Sequence, residues 1–439
     1  MKKSVVLFFC MFGRIGVHAQ AKPWSNNAEP LHRAVKALTD VIVHDIFSPP
    51  VASRIYVYAN IAAYEVLVKE NTAKYRSLHN QVKSFPDIPS AKKKISASLA
   101  SVYACLLVGK KLVFSESVLE DSIQHILTWY QKKNMDKSVY NASLQYGRQV
   151  ADTMIKWIEK DQYRETRKLP RYRILKPEGK WIPTPPEYMA AIEPYWNKIR
   201  LLALNTCDQF RPPLPVAFSK DSGSLFHKNA YEVYATCNKL SDEQKAIANF
   251  WDCNPFAVNT DGHLKFASKK ISPGGHWMSI VAVVSKQQNI PVMDAAAAYT
   301  LTSIALFDAF ISCWDEKYRS NVIRPETYIN RYIDESWRPV LQTPPFPEYT
   351  SGHSIISAAA AVVLSKIFGD HFSFDDNTEV EFGLPVRHFD SFMQASAEAA
   401  ISRLYGGIHY RPAIEIGQVE GQRIGEWVVG KIQLKKYPN

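Results

Sequence analysis

Apolar residues recur along most of this chain at intervals of three and four, the spacing that gathers them on one face of an α-helix. Between residues 32 and 47 they fall at Val35, Leu38, Val41, Val43 and Ile46, which predicts an amphipathic helix. A second is predicted over 54–68, rich in Ala, Tyr and Ile, and similar stretches lie near 92–112, 115–131 and 139–160. From 163 to 187 the period breaks into Arg, Lys and Pro, the composition of a connector. Helical spacing then returns near 188–204, 224–238, 241–251, 276–288, 292–313, 351–368, 391–405 and 412–433. Alternating strand patterns are scarce. Clusters such as Ser272-Pro273-Gly274-Gly275 and Pro344-Pro345-Phe346-Pro347 punctuate helices instead of forming hairpins. The expected fold is mainly α, with packed helical bundles. Its expected parts are an N-terminal helical region at 22–162, the connector at 163–187 and a second helical domain at 188–439.

Composition changes this picture in a few places. With 46% hydrophobic and 22% charged residues, the 439-residue chain can bury a large core, which excludes a mainly disordered protein. Residues 1–21 read as a cleavable export signal: Lys2 and Lys3, an apolar run from Ser4 to Phe12, and Ala19-Gln20-Ala21 with small-residue spacing. The mature protein is therefore expected outside the cytoplasm, periplasmic or secreted. No later run reaches the ~18–20 uninterrupted apolar residues of a membrane span. The net charge of +11 is spread along the chain, with no basic arm or aromatic–basic motif. That argues against nucleic acid and is compatible with an anionic small ligand. Cys105, Cys207, Cys237, Cys253 and Cys313 follow the signal, and an exported protein can pair some of them. None forms a C-x-x-C pair, which argues against a zinc site.

Candidate chemistry concentrates in three short segments. Lys317 and Arg324 lie seven residues apart, two helical turns, where they could share one face and grip an anion; Pro325 then ends the element. In Thr350-Ser351-Gly352-His353, Ser351 or Thr350 caps an Ala-rich helix. The first amides of that helix are free to bind an oxyanion, and Gly352 allows the backbone close to it. In the third segment Arg403 leaves the last turn of a helix, Gly406-Gly407 makes a turn, and His409 follows before a helix that starts near Pro412.

Together these segments resemble the vanadium-dependent haloperoxidases and the related type 2 phosphatidic acid phosphatases. That superfamily's pattern is K-x6-RP, PSGH and SR-x5-H. This chain has Lys317-x6-Arg324-Pro325, Thr350-Ser351-Gly352-His353 and Ser402-Arg403-x5-His409 in the same order, with Thr350 in place of Pro. The resemblance implies that Lys317, Arg324, Ser351, Gly352 and Arg403 cradle a vanadate or phosphate. It implies that His409 bonds the vanadium, or attacks phosphorus, and that His353 is the acid–base group opposite. Trp314 and Phe346 match the aromatic, halide-side wall of the chloroperoxidases. The leading expectation is an enzyme that carries vanadate and uses hydrogen peroxide to oxidise a halide, with Lys317 polarising the peroxide. The alternatives are a phosphatase that hydrolyses a phosphate ester through a phosphohistidine, and a non-catalytic oxyanion binder.

Three positions need the structure. The family has Asp four residues after the second histidine; here that residue is Ala413, with Glu415 or a backbone carbonyl as a substitute. Asp308 is a candidate to buttress a site arginine, or else a carboxylate on a helix surface. His276, in Pro273-Gly274-Gly275-His276, either lines the pocket entrance or simply starts a helix.

Overall fold

A computed structural model describes residues 26–175, 177–255, 258–261, 264–267 and 270–436; the expected signal at 1–21 lies outside them. The N-terminal half runs α1 (Glu29–His44), α2 (Pro49–Lys69), α3 (Ala97–Leu112), α4 (Glu116–Gln131), α5 (Lys137–Ile158) and the single turn α6 (Tyr163–Thr166). The second half runs α7 (Leu225–Cys237), α8 (Asp242–Phe250), the strands β1 (Val258–Asp261) and β2 (Leu264–Ala267), α9 (Pro273–Gln287) and α10 (Val292–Ser320). It continues with α11 (Pro325–Tyr332), α12 (Gly352–Phe368), β3 (Phe374–Asp376), β4 (Arg387–Phe389), α13 (Phe392–Tyr405) and α14 (Arg411–Lys431). The four short strands form two antiparallel pairs, Val258 opposite Ala267 and Phe374 opposite Phe389.

Long helices that are apolar nearly all round belong inside. One is α2, buried from Pro49 to Val68, and another is α10. They pack on each other. Helices α1, α3 and α5 surround α2, while α12, α14 and α9 lie against α10, and α13 lies on α12. By length and composition α10 is apolar enough to cross a membrane, but its apolar stretch is wholly buried inside the protein.

Most predicted helices are present, so the mainly α expectation holds. The helix expected at 188–204 is absent; the segment holds only a 3₁₀ turn at Trp196–Lys198. The amides of Leu202, Ala203 and Leu204 donate to the Asp308 carboxylate at 2.7–3.0 Å instead of to helix carbonyls. Helix α10 stops at Ser320, where Asn321 takes a left-handed backbone (φ 55°). Lys317 and Arg324 therefore do not share a helix face, since Arg324 is the extended residue ahead of α11. Pro325, expected to end an element, begins one, because its missing N–H and fixed φ suit a first turn. The 163–187 segment is pinned over the end of α10: Trp181 is buried and donates its amide to Asn321, and Ile323 donates to the Gly179 carbonyl. The five described cysteines are all unpaired.

Candidate active site

The site is built where α12 begins. Ser351 is its N-cap, its hydroxyl accepting from the Ser354 amide, while its own amide donates to the Ala413 carbonyl of α14. Gly352 and His353 occupy the first two helical positions, so their amides have no carbonyl within the helix to bind. Thr350, the one departure within the motif, donates its hydroxyl to the buried Glu420 of α14 at 3.2 Å; a proline could not make this bond. Ser312 of α10 donates to the other oxygen of the same carboxyl, so α10, α12 and α14 are tied together directly behind the cap.

Three cations are buried here. Lys317 and Arg324 are 0% exposed and Arg403 is 2% exposed. Lys317 places its ammonium on the carbonyls of Pro347, Glu348 and Thr350 at 3.1, 3.0 and 2.5 Å. All three of its protons are thereby engaged with backbone carbonyls. Burial holds its pKa down to about 8. Arg324 donates Nε to Phe346 O and Nη1 to Ile408 O, both at 2.8 Å, and leaves Nη2 buried without a partner. Arg403 donates Nη1 to the Trp251 carbonyl at 2.7 Å and leaves Nε unpartnered. Burial, with Arg403 nearby, brings Arg324 down to about 10.

The two histidines face the cations differently. His409 lies with Nε2 3.2 Å from Arg324 Nη1 and Nδ1 2.8 Å from Glu348 Oε1. A guanidinium only donates, so Nε2 is the accepting nitrogen and the ring proton sits on Nδ1, donated to Glu348. The Tyr410 amide donates to the same carboxyl oxygen at 3.0 Å. Burial raises Glu348 to about 7 against the pull of Arg324 and Lys317, and burial with those same cations pushes His409 well below its usual range. His353 is also held well below, by burial and then by Arg403. Its Nε2 is buried and unpartnered, while the ring's other nitrogen turns to the Trp251 carbonyl.

A small cavity joins these groups, lined by His353, Arg403 and His409, by Trp314 and Phe346, and by Cys253, Asn254 and Pro255. The rings of Trp314 and Phe346 stand 4.9 Å apart, and the Phe346 ring lies 5.0 Å from the Arg324 guanidinium. Both rings border the cavity.

Other expectations change. Asp308 touches no arginine and is not on a surface; it is fully buried on the three amides of 202–204, and burial raises it to about 6. Glu415 is exposed and lies 3.8 Å from Arg411. The carboxylate that orients His409 is Glu348, which sequence reasoning missed. Its signal was a lone acid among the apolar and aromatic residues just ahead of Thr350. Ala413 lies beside Glu348 on a small void, too apolar to take the role. Arg319, inside the first motif, pairs with Glu316 and Asp315 away from the cavity. His276 does not line the entrance; it is buried, held by Asp376 at 2.8 Å and stacked on Trp251.

Comparison with known proteins gives a consistent result. Residues 297–436 match the family model described as the second helical-bundle domain of VCPO. The chain is 47% identical to a bacterial vanadium-dependent iodoperoxidase of known crystal structure, covering 95% of this chain and 100% of that one, with a TM-score of 0.89. A holo-type bacterial vanadium-dependent chloroperoxidase shares the fold at 15% identity and a TM-score of 0.65, over 88% of this chain and 93% of the other. No curated protein matches the chain.

Proposed function

Because this chain belongs to the vanadium-dependent haloperoxidases, with vanadate as its cofactor, we propose that it oxidises iodide with hydrogen peroxide in the cavity between α10, α12 and the start of α14. The observation that carries the placement is the set of unused buried donors. Arg324 Nη2 and Arg403 Nε have no partner, and Glu348 and Asp252 are the carboxylates acting on these cations. Buried charge is stable only when compensated. A vanadate-sized oxyanion fits that requirement: its oxygens would take the spare guanidinium protons and the Gly352 and His353 amides, and His409 Nε2 would ligate it.

Bound vanadate supplies the Lewis acid at which peroxide becomes an oxidant for halide. The rest falls to the chain. Glu348 fixes the His409 tautomer so that Nε2 carries the lone pair, which Arg324 Nη1 now satisfies and vanadate would take over. His353, kept neutral by burial and Arg403, offers Nε2 as the proton acceptor for peroxide. Lys317 fastens the 347–350 turn and adds positive potential through it. Trp314 and Phe346 give the halide an apolar approach that excludes water. The likeness to an iodoperoxidase supports iodide among the halides.

Steady-state assays with iodide, bromide and chloride, with and without added vanadate, test the reading. Iodide oxidation that depends on vanadate is expected. Phosphate-ester hydrolysis inhibited by vanadate, without halide oxidation, would overturn it. We also propose export, from Lys2, Lys3 and Ala19-Gln20-Ala21. A mature N-terminus at Gln20, Ala21 or Lys22 by mass spectrometry supports that, and Met1 in exported material excludes it.

A further inference from the structure

Beside the cavity, sharing Cys253 with its lining, lies a second cluster that the reaction above does not use. His276, in the first turn of α9, is 0% exposed, and its Nδ1 faces two potential ligands from distant parts of the chain. Cys253 Sγ, from the loop after α8, is 3.7 Å away, and Glu379 Oε1, from the segment after β3, is 3.1 Å away. The three ligand atoms lie within 4.8 Å of one another, and all three residues are buried. Nε2 of the same ring meets Asp376 and Thr378, each at 2.8 Å.

We propose that Cys253, His276 and Glu379 form a binding site for one divalent zinc-like cation. Three observations support it. First, a buried carboxylate and a buried thiol crowd the same ring nitrogen, Glu379 Oε1 at 3.1 Å and Cys253 Sγ at 3.7 Å from Nδ1. Second, the spacings suit a metal. Zinc bonds of about 2.0–2.3 Å around a tetrahedron separate ligand atoms by about 3.3–3.6 Å, and the observed 3.1 and 3.7 Å bracket that range. Third, the far side of the ring is prepared. A metal-bound imidazole donates its other N–H to a carboxylate, and Asp376 accepts from Nε2 at 2.8 Å.

The donor set of thiolate, imidazole and carboxylate selects zinc over hard cations such as calcium or magnesium. Paired cysteines, the usual sequence sign of zinc, are absent because each ligand comes from a different element. The site would be structural for the reaction. Trp251, two residues before Cys253, stacks on His276 with ring centres 4.5 Å apart, and its carbonyl holds Arg403 and faces His353. Zinc would thus clamp the loop that positions two groups of the vanadate site.

Without an ion, an imidazolium between Asp376 and Glu379 would have to supply the positive charge, and the experiment separates these cases. The whole purified protein is dialysed against chelator, incubated with zinc or cobalt alone, freed of unbound metal and analysed by elemental mass spectrometry and absorption. The expected result is one zinc per chain. With cobalt, a thiolate-to-metal charge-transfer band should appear in the wild type and vanish in Cys253→Ser. Glu379→Gln should lower zinc affinity by tenfold or more while the circular dichroism spectrum stays unchanged. Less than a tenth of an equivalent of zinc in folded wild type, or equal zinc and the same cobalt spectrum in Cys253→Ser, would overturn the proposal. The vanadate site is read separately by iodide oxidation, so its failure is distinguishable.

Discussion

Glu348 carries a charge that the family pattern places elsewhere, and its consequence depends on pH. With its pKa raised to about 7, the carboxyl is neutral in more acidic solution and ionised in more basic solution. Glu348→Gln imitates the neutral form. Substituting a carboxylate that orients a metal-bound histidine typically costs ~10–100-fold in affinity. Calorimetric vanadate titrations should therefore show about tenfold weaker binding by the variant at pH about 8, and a gap that closes at pH about 6. A gap of equal size at both pH values would show that Glu348 acts by shape alone. Asp308 makes the opposite case. Asp308→Ala leaves three buried amides without an acceptor, so urea denaturation should show a loss of about 3 kcal/mol or more, with vanadate affinity within a factor of about two of wild type. Lys317, Arg324, Ser351, Arg403 and His409 were legible in the sequence because each sits at a fixed spacing within a short segment. Glu348 was not, because what joins it to His409 is the path of the chain across 61 residues.

At the scale of elements, the seam between α12 and α14 governs how well the cap at Ser351 is held. A methyl group on Gly421 would stand 2.1 Å from the Ile355 carbonyl oxygen and 2.8 Å from its carbon, both backbone atoms that cannot turn aside. Gly421→Ala should force the helices apart, cost about 1–3 kcal/mol in denaturant unfolding and weaken vanadate binding through the Ser351–Ala413 bond on the same seam. Gly430→Ala, later in the same helix with open space around it, should be neutral or stabilising by up to about 1 kcal/mol. Comparable losses in both would mean that helix propensity, not the close approach, is being measured. Most helices with a clear apolar period were legible to within a few residues, but α10 runs seven residues beyond the expected end at 313 and α2 starts five before 54. The 188–204 segment was misread because a buried carboxylate outbid the helix for its amides, and the hairpins were missed because three or four residues are too few for alternation to register.

For the molecule as a whole, the mainly α class followed from composition and period, but the number of carboxyls sealed inside did not, because burial is a property of the packed state. Glu420 is one of them, raised to about 7 by burial. A carboxyl whose folded pKa exceeds its unfolded value favours folding only while protonated, so its penalty is absent below about 4.5 and grows until pH passes about 7. Glu420→Gln keeps the neutral form, with both hydroxyl partners free to turn. It should match wild type near pH 5 and exceed it near pH 8 by up to about 3 kcal/mol in urea unfolding, and equal stability at both would refute the shift. The packing of α10 against both α2 and α12 reaches further still. One helix supplies the wall on which each half of the chain condenses, so neither half can be made without the other. A fragment beginning at 188 would expose the apolar side of α10 that α2 covers, and would aggregate. A single cut in the exposed run 167–171 would leave two lengths of polypeptide clasped as one particle, and this is where the gene could be split into two pieces synthesised together.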